Sequence, residues 1–423
     1  MRLGFLVFFA VLGGVLFLVN RHVLRWAVRA FEPAPRVRQV LVGVLALALA
    51  GMLGGRLLSF VVPGPVLTAI IAVASTVELA VMISFVLLLP ADLARLAAFG
   101  FARARARFNR SSSPASASPA VPSATEAEAE PQPAPLENRR AFLAQAAAGS
   151  AFLIGGSSAL YGALHGRADY ELAEVPIRLP GLSRAFDGFS IVQLSDIHIG
   201  DFVGDAELAA AEALVRKARA DLVVLTGDLL DNNSALAPRL GQLARRLGAL
   251  ARHGVVAIAG NHDFFAGIDP VVSSLRAAGA RVLRNQSEII GDAGAGFALL
   301  GVDDVWARRL GGGPDVERAI RALPQLGGKV APARDLPRVL LCHNPSYFED
   351  SAGHVDLQLS GHTHGGQINL LIRPADFVLP NGWVAGRYTR SGSQLYVNRG
   401  FGTVGPPARL GAPPEVTRIV LTS

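Results

Sequence analysis

Five short apolar, β-branched runs of this chain each lead into residues of metal-ligating type, and that repetition limits the fold more than any other feature. Ile191-Val192 leads into Asp196 and His198, Leu222 to Leu225 into Asp228, and Val255 to Ala259 into Asn261 and His262. Val339 to Leu341 leads into His343, and Leu357 to Leu359 into His362 and His364. Such runs, alternating with helical patterns, predict buried strands of an α/β sheet, whose ligands collect beyond the carboxyl ends of the strands. Four imidazoles (198, 343, 362, 364), two carboxylates (196, 228) and the Asn261 amide then converge on one rim. That set can hold two divalent cations.

The spacing has a physical basis. In Asp196-x-His198 the two side chains point the same way from an extended segment, so both reach one metal. His362-x-His364 can serve neighbouring metals if the backbone turns there. Glycines at 227, 260, 361 and 365 allow sharp turns and close backbone approach. A carboxylate such as Asp228 can bridge cations roughly 3.5–4 Å apart. Mixed nitrogen and oxygen donors suit Mn, Fe, Zn or Co better than Mg or Ca. Asp231, Asp303 and Asp304 also lie near strand ends, where loop solvation accounts for them as well as a role behind the ligands does. Cys342, the single cysteine, precedes a ligand on an apolar strand and is expected to pack in the core.

In this order, D-x-H, G-D, G-N-H-D, H and G-H-T-H resemble the calcineurin-like metallophosphoesterase family over about residues 185–423. The Gly361 to Gln367 block, the Tyr396 to Gly402 tail and Pro414-Glu415 before the last strand are similar to its membrane-associated bacterial YkuE-type branch. The resemblance implies a four-layer α-β-β-α sandwich over 180–423. It also implies a first metal on Asp196, His198 and His364, a second on Asn261, His343 and His362, and Asp228 between them. His262 is implied as general acid or transition-state stabiliser, oriented by Asp263. In such a site two cations acidify a bridging water, the hydroxide attacks phosphorus in line, and no nucleophilic side chain is needed.

The fold class expected for the whole chain is α/β, preceded by an α-helical transmembrane region over 1–92. Apolar stretches run over Gly4 to Val19, Val40 to Val62, Val66 to Leu89 and Ala141 to Leu164. Spanning takes about 20 apolar residues, so the first is marginal and the third the firmest. Arg21 to Arg38 and Arg95 to Arg110 are both Arg-rich and predict a cytoplasmic location for both segments. Residues 93–138 read as a basic, then Ser/Pro/Ala/Glu-rich cytoplasmic linker. Arg139-Arg140-Ala141-Phe142-Leu143 opens a mildly apolar stretch over 139–165 that resembles a twin-arginine export signal. An ordinary positive-inside flank is the alternative. Either places the catalytic domain on the periplasmic or extracellular side of the inner membrane, with retention as an anchor favoured over cleavage.

Only Lys217 and Lys329 are lysines among 40 basic residues, which points to coding bias rather than to nucleic acid as a partner. Arg56 lies near the end of its span and can snorkel, whereas Glu78 lies mid-span and invites a ligand or proton role. The segment Asn369 to Tyr396, which carries Arg373, Trp383, Arg387, Tyr388 and Arg390, is the expected substrate-facing insertion, its arginines suited to a phosphate or sugar-phosphate and Trp383 to a stacked ring or lipid; a solvated loop with ordinary surface arginines is the equal alternative. The expected function is hydrolysis of phosphomonoesters or phosphodiesters of an envelope or lipid-linked substrate, with the membrane and the twin-arginine translocase as partners. A pyrophosphatase of UDP-acylglucosamine type and a membrane sensor or transport protein are the alternatives.

Overall fold

The computed structural model describes residues 3–59, 61–62, 64–111, 136–292, 295–323 and 336–423. The chain divides into two compact units, Met1–Leu160 and Tyr161–Ser423.

The first unit is helical. It holds α1 (Leu3–Phe31), α2 (Pro35–Ser59), α3 (Pro65–Ser111) and most of α4 (Leu136–Leu164). Prolines set the boundaries. Pro33 and Pro35 stop α1, and Pro35 and Pro65 each begin a helix, where a missing N–H costs nothing. Nothing after Val19 breaks α1, so it carries on through Arg21, Arg25 and Arg29, well past its apolar stretch. Helix α3 likewise continues beyond Leu89 to Ser111, so the basic start of the 93–138 segment is helical; residues 112–135 of that segment lie outside the described residues. Among the described residues, four stretches are long and apolar enough to cross a membrane: Phe9–Phe31, Pro35–Ser59, Pro65–Arg105 and Ala141–Ala168. They expose Val11, Leu18, Leu47 and Leu153, as lipid-facing helices must. Small residues let two of them close up: a side chain at Gly51 would press on Ala74, and one at Gly55 on Ile71.

The second unit is two stacked six-stranded sheets. The first has the order β1 (Glu171–Arg178), β12 (Glu415–Thr422), β2 (Ser190–Leu194), β3 (Leu222–Thr226), β4 (Val255–Ile258) and β5 (Arg281–Val282). The second has β10 (Gly386–Arg390), β11 (Ser393–Val397), β9 (Leu357–Ser360), β8 (Arg338–Leu341), β7 (Ala295–Gly301) and β6 (Gln286–Asp292). Strands β2 to β5 are parallel, as are β7, β8, β9 and β11, so each sheet sends several carboxyl ends the same way.

The period of two along each strand builds the layers. Leu222 and Val224 of β3, Val256 and Ile258 of β4, Phe297 and Leu299 of β7, and Val339 and Leu341 of β8 share one core between the sheets. Their alternates Val223, Leu225, Val255 and Ala257 meet α5 (Asp205–Ala218), α6 (Ala237–Gly248) and α8 (Ile268–Ala277). On the other side Ala298, Leu300, Leu340 and Cys342 pack with α9 (Val316–Arg321). The result is the expected four-layer α-β-β-α sandwich, with the short α7 (Asn261–Ala266) after β4. Cys342 lies in the outer core as expected, and burial pushes its thiol well above the usual range. At the start of α5, Gly204 precedes the helix and its N–H donates to Glu207 at 2.9 Å, while Asp205 pairs with Arg239.

Candidate metal centre

The ligand-type residues follow the strands with near-constant spacing. Asp196 comes two residues after β2, Asp228 two after β3, His343 two after β8 and His362 two after β9, while Asn261 opens the helix that follows β4. Both sheets therefore contribute to one rim. The turns that make this possible are strained: Asp196, His198, Asp228, His362 and His364 all adopt left-handed backbone angles, with φ between 51° and 75°. Each such residue costs about 1–3 kcal/mol, and that strain gathers where side chains must be aimed.

Two glycines hold the turns close. Gly227 has φ +88°. Gly361 needs no unusual φ, but a methyl group on it would overlap Ser195 Oγ and the Asp196 carboxylate. A Gly361→Ala chain is expected to lose about 1–3 kcal/mol of stability through overpacking. Because Asp196 has no room to retreat, its turnover should fall by more than its melting temperature suggests. Thermal melts run beside kcat measurements check both.

Three groups of side chains bring ligating atoms within 4.8 Å of one another: Asp196, His198 and His364; His198, Asp228 and His262; and Asp228, His343 and His362. His343 Nδ1 donates to Thr226 O at 2.9 Å, so its Nε2 turns towards the centre, 3.2 Å from Asp228 Oδ2 and 3.2 Å from His362 Nδ1. His198 Nε2 meets His364 Nε2 at 3.1 Å, and His364 Nε2 lies 3.4 Å from Asp196 Oδ1. Once deprotonated, these nitrogen and oxygen atoms carry the lone pairs a cation would bind. Asn261 Oδ1, buried without a partner, adds another free donor atom to the set. These residues fit two divalent cations with mixed nitrogen and oxygen ligands.

The electrostatics carry the same message. Burial raises Asp228, yet His343, His198 and His262 hold it well below the usual carboxylate range. Burial works against a charged His343, but Asp228 outweighs it and holds the imidazole well above its usual value. His364 goes the other way, lowered by burial and by its neighbours His198 and Arg409.

His262 stands at the edge of the centre, about one-sixth exposed. Its backbone N–H donates to Asp228 Oδ1 at 2.8 Å, and its Nδ1 reaches Asp231 O at 2.8 Å and Asp231 Oδ1 at 3.3 Å. Burial disfavours the charged ring, but Asp231 and Asp228 together raise it to about 9. Asp263 does not orient it, contrary to expectation. Its carboxylate accepts from the N–H groups of Leu229 and Leu230 at 3.0 Å and of Gly260 at 2.9 Å, which pins the β3 and β4 turns together. Burial and the Asp228 carboxylate raise Asp263 to about 6. The orienting carboxylate is Asp231, which also lies 3.6 Å from His198 Nδ1.

Arg409 was not expected in the site. It is fully buried, donates to the carbonyls of Arg399 at 2.8 Å, Gly400 at 3.0 Å and Gly402, and sets Nη2 3.2 Å from His364 Nδ1. Burial lowers it to about 10. Asp303 pairs with Arg284 at 2.8 Å, and Asp304 accepts from Trp306 N at 2.7 Å, so both serve their own loop. In the 369–396 segment Trp383 is buried against Phe348, Arg373 pairs with Asp376, and Arg390 with Glu349. Trp383 is thus unavailable for stacking or lipid. The exposed apolar side chains are instead Leu371, Ile372, Phe377 and Val378. Of these, Leu371 and Ile372 line a cavity of about 410 Å³ with Asn369, Leu370, Arg373, Ala385, Arg399, Gly411 and Gly365, the residue after His364.

A family model described as calcineurin-like phosphoesterase matches residues 189–366. A Bacillus subtilis protein named uncharacterized metallophosphoesterase YkuE is 33% identical over 258 residues, 60% of this chain and 86% of that one. An Escherichia coli protein named phosphodiesterase YaeI is 33% identical over 244 residues, 55% of this chain and 82% of its own. A Danio rerio protein named transmembrane protein with metallophosphoesterase domain is 32% identical over 290 residues, 64% of this chain and 62% of its own. On that footing this chain belongs to the calcineurin-like phosphoesterase family and is a metal-dependent phosphoester hydrolase.

Proposed function

We propose that the chain hydrolyses phosphomonoester or phosphodiester bonds of a lipid-linked or envelope substrate from a membrane-anchored position. One observation carries the chemistry: ligating nitrogen and oxygen atoms of Asp196, His198, Asp228, His343, His362 and His364 gather in overlapping groups whose atoms lie within 4.8 Å of one another. In this reading Asp196, His198 and His364 hold one ion, Asn261, His343 and His362 the other, and Asp228 bridges. Two divalent ions, manganese among the candidates, supply an acidified water and positive charge against the phosphoryl oxygens. His262, held charged by Asp231, presents Nε2 to the leaving or equatorial oxygen.

Support for a lipid-linked substrate comes from the loop after the histidines. Leu371, 86% exposed, lines the cavity with Arg373 and Arg399, and Phe377, 80% exposed, follows in the same segment. Apolar side chains clustered in water around a polar cleft suit a headgroup held at the metals and acyl chains held outside. Burying a leucine or phenylalanine is worth about 1.5–3 kcal/mol. A Leu371→Asp, Phe377→Asp chain in liposomes should therefore cleave an embedded phospholipid at least about tenfold more slowly. A short soluble diester should be cleaved at an unchanged rate. Equal slowing on both would remove the lipid-linked reading.

The arrangement that follows is a multi-pass inner-membrane protein with spans over 1–92, a cytoplasmic 93–138 segment and an anchor over 139–165. The 180–423 domain lies outside, delivered by the twin-arginine translocase. The deciding assay offers the full chain a monoester, a diester and a nucleotide-diphosphate-sugar reporter with Mn, Zn, Mg or Fe. Turnover on the last reporter alone would favour a pyrophosphatase instead.

A further inference from the structure

Three buried oxygen atoms of the first unit have no hydrogen-bond partner: Glu78 Oε1, Asn20 Oδ1 and Ser75 Oγ. Glu78 and Ser75 are each 1% exposed and Asn20 6%. Asn20 of α1 donates from Nδ2 to Glu78 Oε2 of α3 at 2.8 Å and to Leu16 O at 2.9 Å, so its donors are used and its oxygen is left over. Ser75 lies three residues before Glu78, on the same face of α3. Elsewhere in α3, Thr76 and Ser84 turn their hydroxyls back to the carbonyl four residues earlier, at 2.8 and 2.7 Å. Ser75, in the same helix, does not.

Among the described residues, the hydrogen bond to this carboxyl group comes from the Asn20 amide and not from a cationic side chain. On α1 the histidine two residues on, His22, lies 2.9 Å from Asp92 of α3, and Arg21, Arg25 and Arg29 follow towards the helix end. The Trp26 indole also donates to Asp92, and Arg95 of α3 lies over that indole. The ionisable groups of α2 are Arg36 and Arg38 in its first turn and Arg56 in its last. Helix α4, which meets α3 where Ser84 reaches Ala151 O, has no Asp, Glu, Lys, Arg or His from Ala141 to Leu164, and Tyr161 near its end is its one titratable side chain there. A half-paired carboxylate among apolar helices costs several kcal/mol, so it persists where a small positive charge joins it. The donor atoms on offer are all oxygen, which suits a hard cation.

We propose that Glu78, Asn20 and Ser75 form an intramembrane site for one exchangeable monovalent cation, a proton or Na⁺. The site is independent of the metal centre and gives the helical unit a function of its own: it registers the ion composition of its surroundings. Dicyclohexylcarbodiimide tests this directly, because a lipid-embedded carboxyl group must carry a proton to react. The carboxyl proton passes to a carbodiimide nitrogen, the carboxylate oxygen bonds to the central carbon, and rearrangement leaves a stable acylurea.

The full chain in liposomes would be treated between about pH 5 and 8, with Na⁺ or choline, and Glu78 followed by peptide mass spectrometry. The expected result is labelling at Glu78 that falls about tenfold per pH unit above its half-point. Ser75→Ala and Asn20→Ala should move that half-point. Suppression by Na⁺ but not by choline identifies Na⁺ as an occupant; indifference to Na⁺ leaves the proton. Absent labelling, or labelling that ignores both pH and Na⁺, overturns the proposal. The wild-type titration suffices if a variant fails to fold.

Discussion

An Asp228→Asn chain is expected to lose turnover on the order of a thousandfold, equivalent to several kcal/mol of transition-state charge stabilisation. The substitution keeps the shape and removes the charge. Asp228 Oδ2 faces His343 and His198, at 3.2 and 3.7 Å, and Oδ1 accepts from the His262 N–H. An amide there can turn an N–H₂ group towards the imidazoles, which repels any cation. Metal content by elemental analysis should fall from two ions per chain towards one or none while the melting curve stays cooperative. Full activity with both ions retained would remove Asp228 from the bridging position.

The second large effect concerns His262. Its replacement by glutamine should lower kcat by about a hundredfold to ten-thousandfold, the range for losing a positioned acid or base, with metal content unchanged. Asp231→Asn should produce a smaller loss, about tenfold to a hundredfold, because it acts through the rings of His262 and His198. An activated ester whose leaving group needs no proton separates the roles. It should restore much of the His262→Gln rate if His262 donates to the leaving oxygen, and little if it steadies equatorial charge. Asp263→Asn is the contrast. That carboxylate accepts three backbone N–H groups, so the damage should appear as lost stability, about 1–3 kcal/mol per N–H left unpaired, more than as altered chemistry.

Much of the second unit was legible because the relevant signals are local. A β-branched run and the polar residue two places beyond it lie within one stretch of chain, so five of the strands and the ligand-type residues after them could be read from the sequence, while the two-sheet sandwich came from the family resemblance. What was missed depends on contacts made through space. Asp231 looks like an ordinary loop acid until the chain folds it against two histidines. Arg409 gave no local signal at all: it is a surface residue type at a buried position, held by carbonyls from residues 399–402. The family resemblance implied that Asp263 orients His262, but the helical turn aims these two adjacent side chains apart. Trp383 and the exposed run at 371–378 were interchanged because packing against Phe348 decides which apolar group is covered. In the first unit, apolar length marked the spans but not the helix ends, which the prolines set.

The rim is assembled from both halves of the sandwich: Asp196, His198, Asp228 and Asn261 come from the first sheet, and His343, His362 and His364 from the second. Any ion seated there would work as a rivet across the seam between the sheets, adding to polar stitches such as Gln193 to Ser360 O at 3.0 Å, His343 to Thr226 O and Asn398 to Thr417. Drawing the ions out with a chelator should unfasten the seam from that end first. Amide hydrogens near residues 226–230, 343 and 361–364 would then exchange early, while the apolar floor between the sheets stays shut. Resistance to proteases thereby becomes a gauge of metal supply, and a chain starved of ions is marked for removal before it has lost its fold.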